Sequence, residues 1–231
     1  MGHPAYLCPM TLAARIDHTL LRPDCTEAQI AQLCQEAAAH GFASVCVPPC
    51  YVAFAAEKLA GTAVGICTVI GFPLGYAASS AKFKEAEVAL YDGATELDVV
   101  INVSALKSGK TETIQAEILD LADLCHVHQA LLKVIIETAL LTDAEIELAC
   151  QLCVGGEADF VKTSTGFASR GASVADVALM RRVLPETVRI KAAGGIRTRE
   201  AALALVAAGA DRIGSSNSGA LIIATDETTA A

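Results

Sequence analysis

Short apolar runs alternate with longer amphipathic segments along the whole chain. Eight runs read as strands, at 15–20, 44–48, 64–72, 96–102, 131–137, 159–165, 189–194 and 212–216. Several are almost unbroken Val, Ile and Cys, as expected of parallel strands covered on one side by helices and packed inside a barrel on the other. Between them, segments 26–40, 77–91, 111–126, 143–153, 173–183 and 198–208 carry apolar residues at helical spacing. The first opens on Thr26, with Gln29 placed to close a capping box. Gly41, Gly93 and Gly209 follow three of these helices, where a left-handed residue is wanted. Eight strands with helices between them in 231 residues predict an α/β fold, a (β/α)8 TIM barrel forming a single domain over 1–231. An open doubly wound sheet is the competitor. It lacks support, because no GxGxxG follows the first strand and no acidic residue is placed to hold a ribose. The small, polar tail at 225–231 is expected to fray.

Composition narrows the class. Hydrophobic residues make up 53% and charged residues 19%, enough apolar material for a large core. Tryptophan is absent and aromatics are only 4%, so aliphatic side chains must fill the interior. The net charge of −9, without a basic run, excludes nucleic acid and anionic membranes as expected partners. An anionic substrate would need a local cluster of positive charge. Nine cysteines, an odd number at irregular spacing with no signal-like segment, point to reduced thiols in a cytoplasmic protein. Cys150 and Cys153 form a CxxC in a helical stretch, but without a second ligand pair no metal is expected. The outer helix faces leave room for a homodimer or homotetramer, and the sequence does not choose.

In a barrel the active site lies at the C-terminal ends of the strands, so polar residues closing apolar runs are the candidates. Lys162 follows Phe160 and Val161. An ammonium there is costly unless it is paired or deprotonated, and a deprotonated lysine attacks aldehydes and ketones. The other reading is a structural lysine, snorkelling outward or paired with Asp98 or Asp159. Lys191 closes the next strand, and two neighbouring cations would each disfavour the other's proton. Alternatively Lys191 binds phosphate ahead of Gly194 and Gly195. Asp98, in the middle of an apolar run, either moves protons or makes a buried ion pair. Lys133 and Glu137 share parity, as do Asp17 and Thr19, so both pairs can face the interior as supporting polar groups. His18 points to the opposite face from Asp17. Gly194-Gly195 after strand seven and Gly214-Ser215-Ser216-Asn217 after strand eight suggest a phosphate site, to which Gly166 could add an amide.

At these residues the chain resembles the deoxyribose-phosphate aldolase family. The segments at 16–21 (IDHTLL), 44–47 (SVCV), 68–75 (TVIGFPLG), 96–102 (ELDVVIN), 133–138 (KVIIET), 160–166 (FVKTSTG) and 191–198 (KAAGGIRT) occur in that family's order. The resemblance runs from about 12 to 222. It implies a (β/α)8 barrel that reversibly cleaves 2-deoxy-D-ribose 5-phosphate to acetaldehyde and D-glyceraldehyde 3-phosphate, with no cofactor. It further implies that Lys162 forms the Schiff base, Lys191 tunes it, and Asp98 relays protons through water. Gly166, Gly194, Gly195 and Ser216 would contact phosphate, and Cys46 would line the pocket. Two positions depart from the pattern. Asn217 stands where a second hydroxyl or a glycine is frequent, and the tail lacks the terminal tyrosine of some members.

Two rivals remain from the residues. One is a phosphosugar isomerase or epimerase with Asp98 or Glu137 as base and Lys191 as electrophile. The other is a non-catalytic barrel that binds sugar phosphates.

Overall fold

The computed structural model describes residues 11–222, so the tail at 225–231 lies outside the described residues. Eight parallel strands close on themselves in sequence order: β1 (Ile16–Thr19), β2 (Ser44–Val47), β3 (Gly65–Ile70), β4 (Glu96–Val100), β5 (Leu131–Ile135), β6 (Phe160–Lys162), β7 (Arg189–Ala193) and β8 (Arg212–Ser215). The α-helices of the described residues are α1 (Glu27–His40), α2 (Val52–Lys58), α3 (Ser79–Tyr91), α4 (Val103–Lys107), α5 (Thr111–Val127), α6 (Asp143–Gly155), α7 (Val174–Val183), α8 (Arg199–Ala207) and α9 (Ser218–Ile222). The expected (β/α)8 TIM barrel is the observed fold.

Local chemistry sets the helix starts. Thr26 and Gln29 form the expected capping box, and Thr142 with Glu145 forms a second. Ser173 and Thr198 cap α7 and α8 through their hydroxyls. Gly41 ends α1 at φ +65°, the left-handed conformation the sequence suggested.

Two differences from the sequence reading have physical causes. Several strands stop one to three residues before their apolar runs do, because the chain leaves the ladder to build the loops at the barrel mouth. Glu137 is the clearest case: β5 ends at Ile135, and Glu137 lies beyond it at φ +54°. The short helices α2, α4 and α9 were not expected. Each has only five to seven residues, too few for a helical period to stand out.

The two faces of the strands differ in kind. Ile16, Val45, Leu97, Leu132, Val161 and Ile190 face outward into the aliphatic layer under the helices, all fully buried. Each such side chain contributes roughly 1.5–3 kcal/mol by leaving water, and this layer stabilises the barrel. His18 shares this outward face, as expected, packing edge-on against Phe42 with ring centroids 5.3 Å apart. The inner face is polar. Asp17, Glu96, Asp98, Lys133, Lys162 and Lys191 are all buried there, and Arg212 flanks them. At one end of this interior, Arg189 and Arg212 lie 4.0 and 5.8 Å from the Phe160 ring.

Candidate active site

Parallel register brings the interior charges together. Lys162 is paired with Lys191 across β6 and β7, Lys191 with Arg212 across β7 and β8, and Asp98 with Lys133 across β4 and β5. Both candidate amines converge on one oxygen of Asp98: Lys162 Nζ donates to Oδ2 at 2.6 Å and Lys191 Nζ at 2.7 Å. Lys133 Nζ donates to the other oxygen, Oδ1, at 2.9 Å. The Cys67 thiol reaches the same Oδ1 at 3.1 Å.

The remaining partners are distributed unequally. Lys191 also pairs with Asp17 at 2.5 Å, and Lys133 with Glu96 at 2.6 Å. Arg212 pairs with Asp17 at 2.5 Å and with Glu96 at 3.2 Å. Lys162 has only Asp98. Four cationic side chains therefore share three carboxylates, and Lys162 has the least anionic support among them.

Burial pushes Asp98 toward its neutral acid, but Lys133, Lys162 and Lys191 outweigh burial and hold its carboxyl well below the usual range. Asp17 is held low in the same way, burial being overcome by Lys191, Lys133 and Arg212. Burial would strip the proton from Lys191, yet Asp17 and Asp98 more than compensate and raise its pKa. Lys133 is raised well above its ordinary value, as Asp98, Cys67 and Glu96 override burial. Lys191 and Lys133 therefore stay charged beside Lys162.

Above this network opens a cavity of about 360 Å³. Lys162 is in its wall; Lys191, Asp98, Lys133, Asp17 and Cys46 are not. The wall also holds Thr19, Gly166, Gly194, Gly195 and Ser216. Gly194 sits at φ +88°, and a β-carbon there would come within 3.0 Å of Gly171 Cα and 3.4 Å of Gly166 Cα. Only glycine lets these loops close together around the cavity.

The model of the DeoC/LacD family aldolases matches residues 11–223. The chain belongs to this aldolase family. Deoxyribose-phosphate aldolase 1 of Bacillus licheniformis is 52% identical over 205 residues, covering 89% of this chain and 92% of that protein. Deoxyribose-phosphate aldolase of Brevibacillus brevis is 51% identical over 224 residues, covering 95% and 98%. Among solved structures, the deoxyribose phosphate aldolase of Aeropyrum pernix, described as a unique tetramer, is 38% identical with a TM-score of 0.84. It covers 91% of this chain and 89% of that one.

Within this aldolase the expected residues divide into two layers. Lys162, Thr19, Gly166, Gly194, Gly195 and Ser216 border the cavity. Asp17, Cys46, Lys133, Asp98 and Lys191 are buried on the inner face and lie outside the cavity wall. Asn217 is exposed outside the wall, its backbone N–H donating to Ser215 Oγ at 3.1 Å. Cys46 pairs in register with Cys67, whose hydrogen bond draws the Cys46 thiol below its ordinary range against the effect of burial. The donor atoms of Cys46, Cys67 and Asp98 lie within 4.8 Å of one another. Three ammonium groups already bond to Asp98, so a metal cation placed there would face strong repulsion.

The sequence did not single out Arg212, which closes the charge network. Nor did it reveal what Glu137 does. Its Oε2 accepts from the Thr165 N–H at 3.1 Å and from the Thr165 hydroxyl, fixing the loop that carries Gly166.

Proposed function

We propose that this aldolase reversibly cleaves 2-deoxy-D-ribose 5-phosphate to acetaldehyde and D-glyceraldehyde 3-phosphate through a Schiff base on Lys162. One observation carries the assignment: of the lysines in the interior network, Lys162 alone borders the cavity, and it alone has a single carboxylate partner. The names of the relatives at about half identity support the substrate.

Neutral Lys162 attacks the aldehyde carbon of the open-chain sugar, and loss of water gives an iminium ion. Solvent in the cavity takes the C3 hydroxyl proton as the C2–C3 bond breaks and C3 becomes the new aldehyde carbon. The electron pair moves through C2 onto the iminium nitrogen, leaving an enamine and releasing glyceraldehyde 3-phosphate. Protonation at C2 and hydrolysis then release acetaldehyde and restore the amine. The iminium is the electron sink, the part a Lewis acid would otherwise play, so the scheme invokes no cofactor or metal. Lys191 stays protonated beside Lys162, held charged by Asp17 and Asp98. Asp98 accepts the Lys162 proton transiently and passes it on to water. Gly166, Gly194, Gly195 and Ser216 border the space for the phosphate, with Thr19 across the cavity.

The isomerase rival fits less well. Neither candidate base, Glu137 or Asp98, borders the cavity where a sugar phosphate would lie, whereas Lys162 does. A purely binding barrel has no use for an under-supported amine in the cavity wall. The protein is further assigned to the cytoplasm as a single-domain barrel working as a homodimer or homotetramer on small molecules, without nucleic acid or membrane partners. Among the described residues no helix is long and apolar enough to cross a membrane.

The test is a coupled assay with 2-deoxy-D-ribose 5-phosphate. Release of acetaldehyde and glyceraldehyde 3-phosphate in equal amounts is the predicted result. Conversion to an isomeric sugar phosphate without acetaldehyde would replace this reading with the isomerase.

A further inference from the structure

The cavity wall carries Arg22, Lys162 and Arg197, and no carboxylate. In a chain of net charge −9 this is the local positive bias that an anionic ligand requires. Lys162 is taken up by the interior network. Arg22 stands at the mouth, in the loop that leaves β1.

The Arg22 guanidinium is held in a two-pronged bond. Its Nε donates to Asp24 Oδ1 at 2.9 Å and its Nη2 to Asp24 Oδ2 at 2.8 Å. Asp24 is not part of the cavity wall. Both side chains are open to water, at 64% and 68% exposure, so the pair adds little to stability. An exposed fork of this kind is exchangeable. A phosphate monoester offers the same two-oxygen geometry with up to twice the charge. Elsewhere in the wall, the β6 loop offers Phe167, whose ring packs edge-on against Phe72 at 5.3 Å and brings no charge. The positive charge at the mouth must therefore come from the arginines.

We propose that Arg22 is a phosphate-binding residue of this cavity and that Asp24 is its built-in competitor. Together they set how strongly phosphorylated ligands are preferred. The proposal rests on the aldolase reading only for which sugar bears the phosphate. On binding, the guanidinium exchanges the Asp24 carboxylate for the phosphate, and no covalent bond changes. Asp24 then remains close by as a repelling charge that limits affinity and favours release of the phosphorylated product.

The experiment is calorimetric titration at low ionic strength with sn-glycerol 3-phosphate, an unreactive phosphate monoester close to the aldehyde product, and with glycerol as the uncharged control. The full chain is compared with Arg22→Gln, Asp24→Asn and the double variant. Arg22→Gln should weaken glycerol phosphate binding about tenfold, the size of one lost charge-assisted bond. Asp24→Asn should tighten it about threefold, the scale of an exposed ion pair. The double variant should bind better than Arg22→Gln alone, because the unpaired carboxylate is gone. A change of less than about twofold in either single variant, a shift in the opposite direction, or no binding by the unmodified protein would overturn the proposal. If these shifts appear but deoxyribose phosphate is not cleaved, the aldolase reading fails and Arg22 keeps its assignment.

Discussion

Two places in this barrel bury lysine, and they are built on opposite principles. Outside the strands, Lys82 on α3 is fully buried, and its Nζ donates to Glu117 Oε1 at 2.7 Å and to the Val100 carbonyl at 2.8 Å. Ser79 Oγ donates to the other Glu117 oxygen at 2.6 Å. One cation meets one carboxylate, every strong donor and acceptor has a partner, and Lys82 borders no substrate cavity. Inside the strands, four cations share three carboxylates, and the least supported of them faces a cavity. Burial is common to both regions. Mismatch of charge and a place in a cavity wall belong only to the second, and these are the features expected of a nucleophilic amine rather than a strut.

That contrast can be broken from either side. The largest expected effect is at Lys162: Lys162→Met should lower turnover at least about a thousandfold with an unchanged circular dichroism spectrum, because no other amine borders the Schiff-base position. Next comes Lys191→Met, with an expected loss in kcat/KM of about a hundredfold. Lys191 shares Asp98 Oδ2 with Lys162, so its loss removes the neighbouring ammonium and leaves Asp17 and Asp98 short of a partner. An undiminished kcat/KM in a folded Lys191→Met protein would deny Lys191 its supporting role. Lys82→Met should do the reverse. It leaves Glu117 buried without its cation and should cost about 3–5 kcal/mol of stability in denaturant titrations, while kcat of the folded enzyme is unchanged. A loss of kcat in that variant would show that the two regions are not independent.

The sequence displayed one of these regions and hid the other. Lys162, Lys191 and Asp98 stood out because they interrupt apolar strand runs, where a charge has no ordinary reason to be. Lys82 lies in an amphipathic helix two residues from Lys84, a surface lysine paired with Glu87, and nothing local separates them. Its partner Glu117 is 35 positions away on another helix. The eight strands and their order were legible because each is a compact apolar run. Their C-terminal limits were not, since the polar residues of the mouth continue the alternation after the ladder has ended. Glu137 shows the cost of this: its parity pointed to the interior, but its backbone had already turned to grip Thr165. The layering of the site was also out of reach. Asp17, Cys46 and Lys133 share the inner face with Lys162, and only strand register shows that they lie below the cavity rather than around it. The match of Arg22 to Asp24 was written two residues apart, but its place at the cavity mouth required the fold.

Lys162 alone, among the buried lysines, is expected to bond to an aldehyde carbon. Incubation with acetaldehyde and sodium borohydride, followed by peptide mapping in a mass spectrometer, tests it directly. A stable ethyl group confined to the peptide containing Lys162 is the predicted result. An ethyl group on Lys82, Lys133 or Lys191 instead, or no covalent adduct with an enzyme that still turns over, would contradict it.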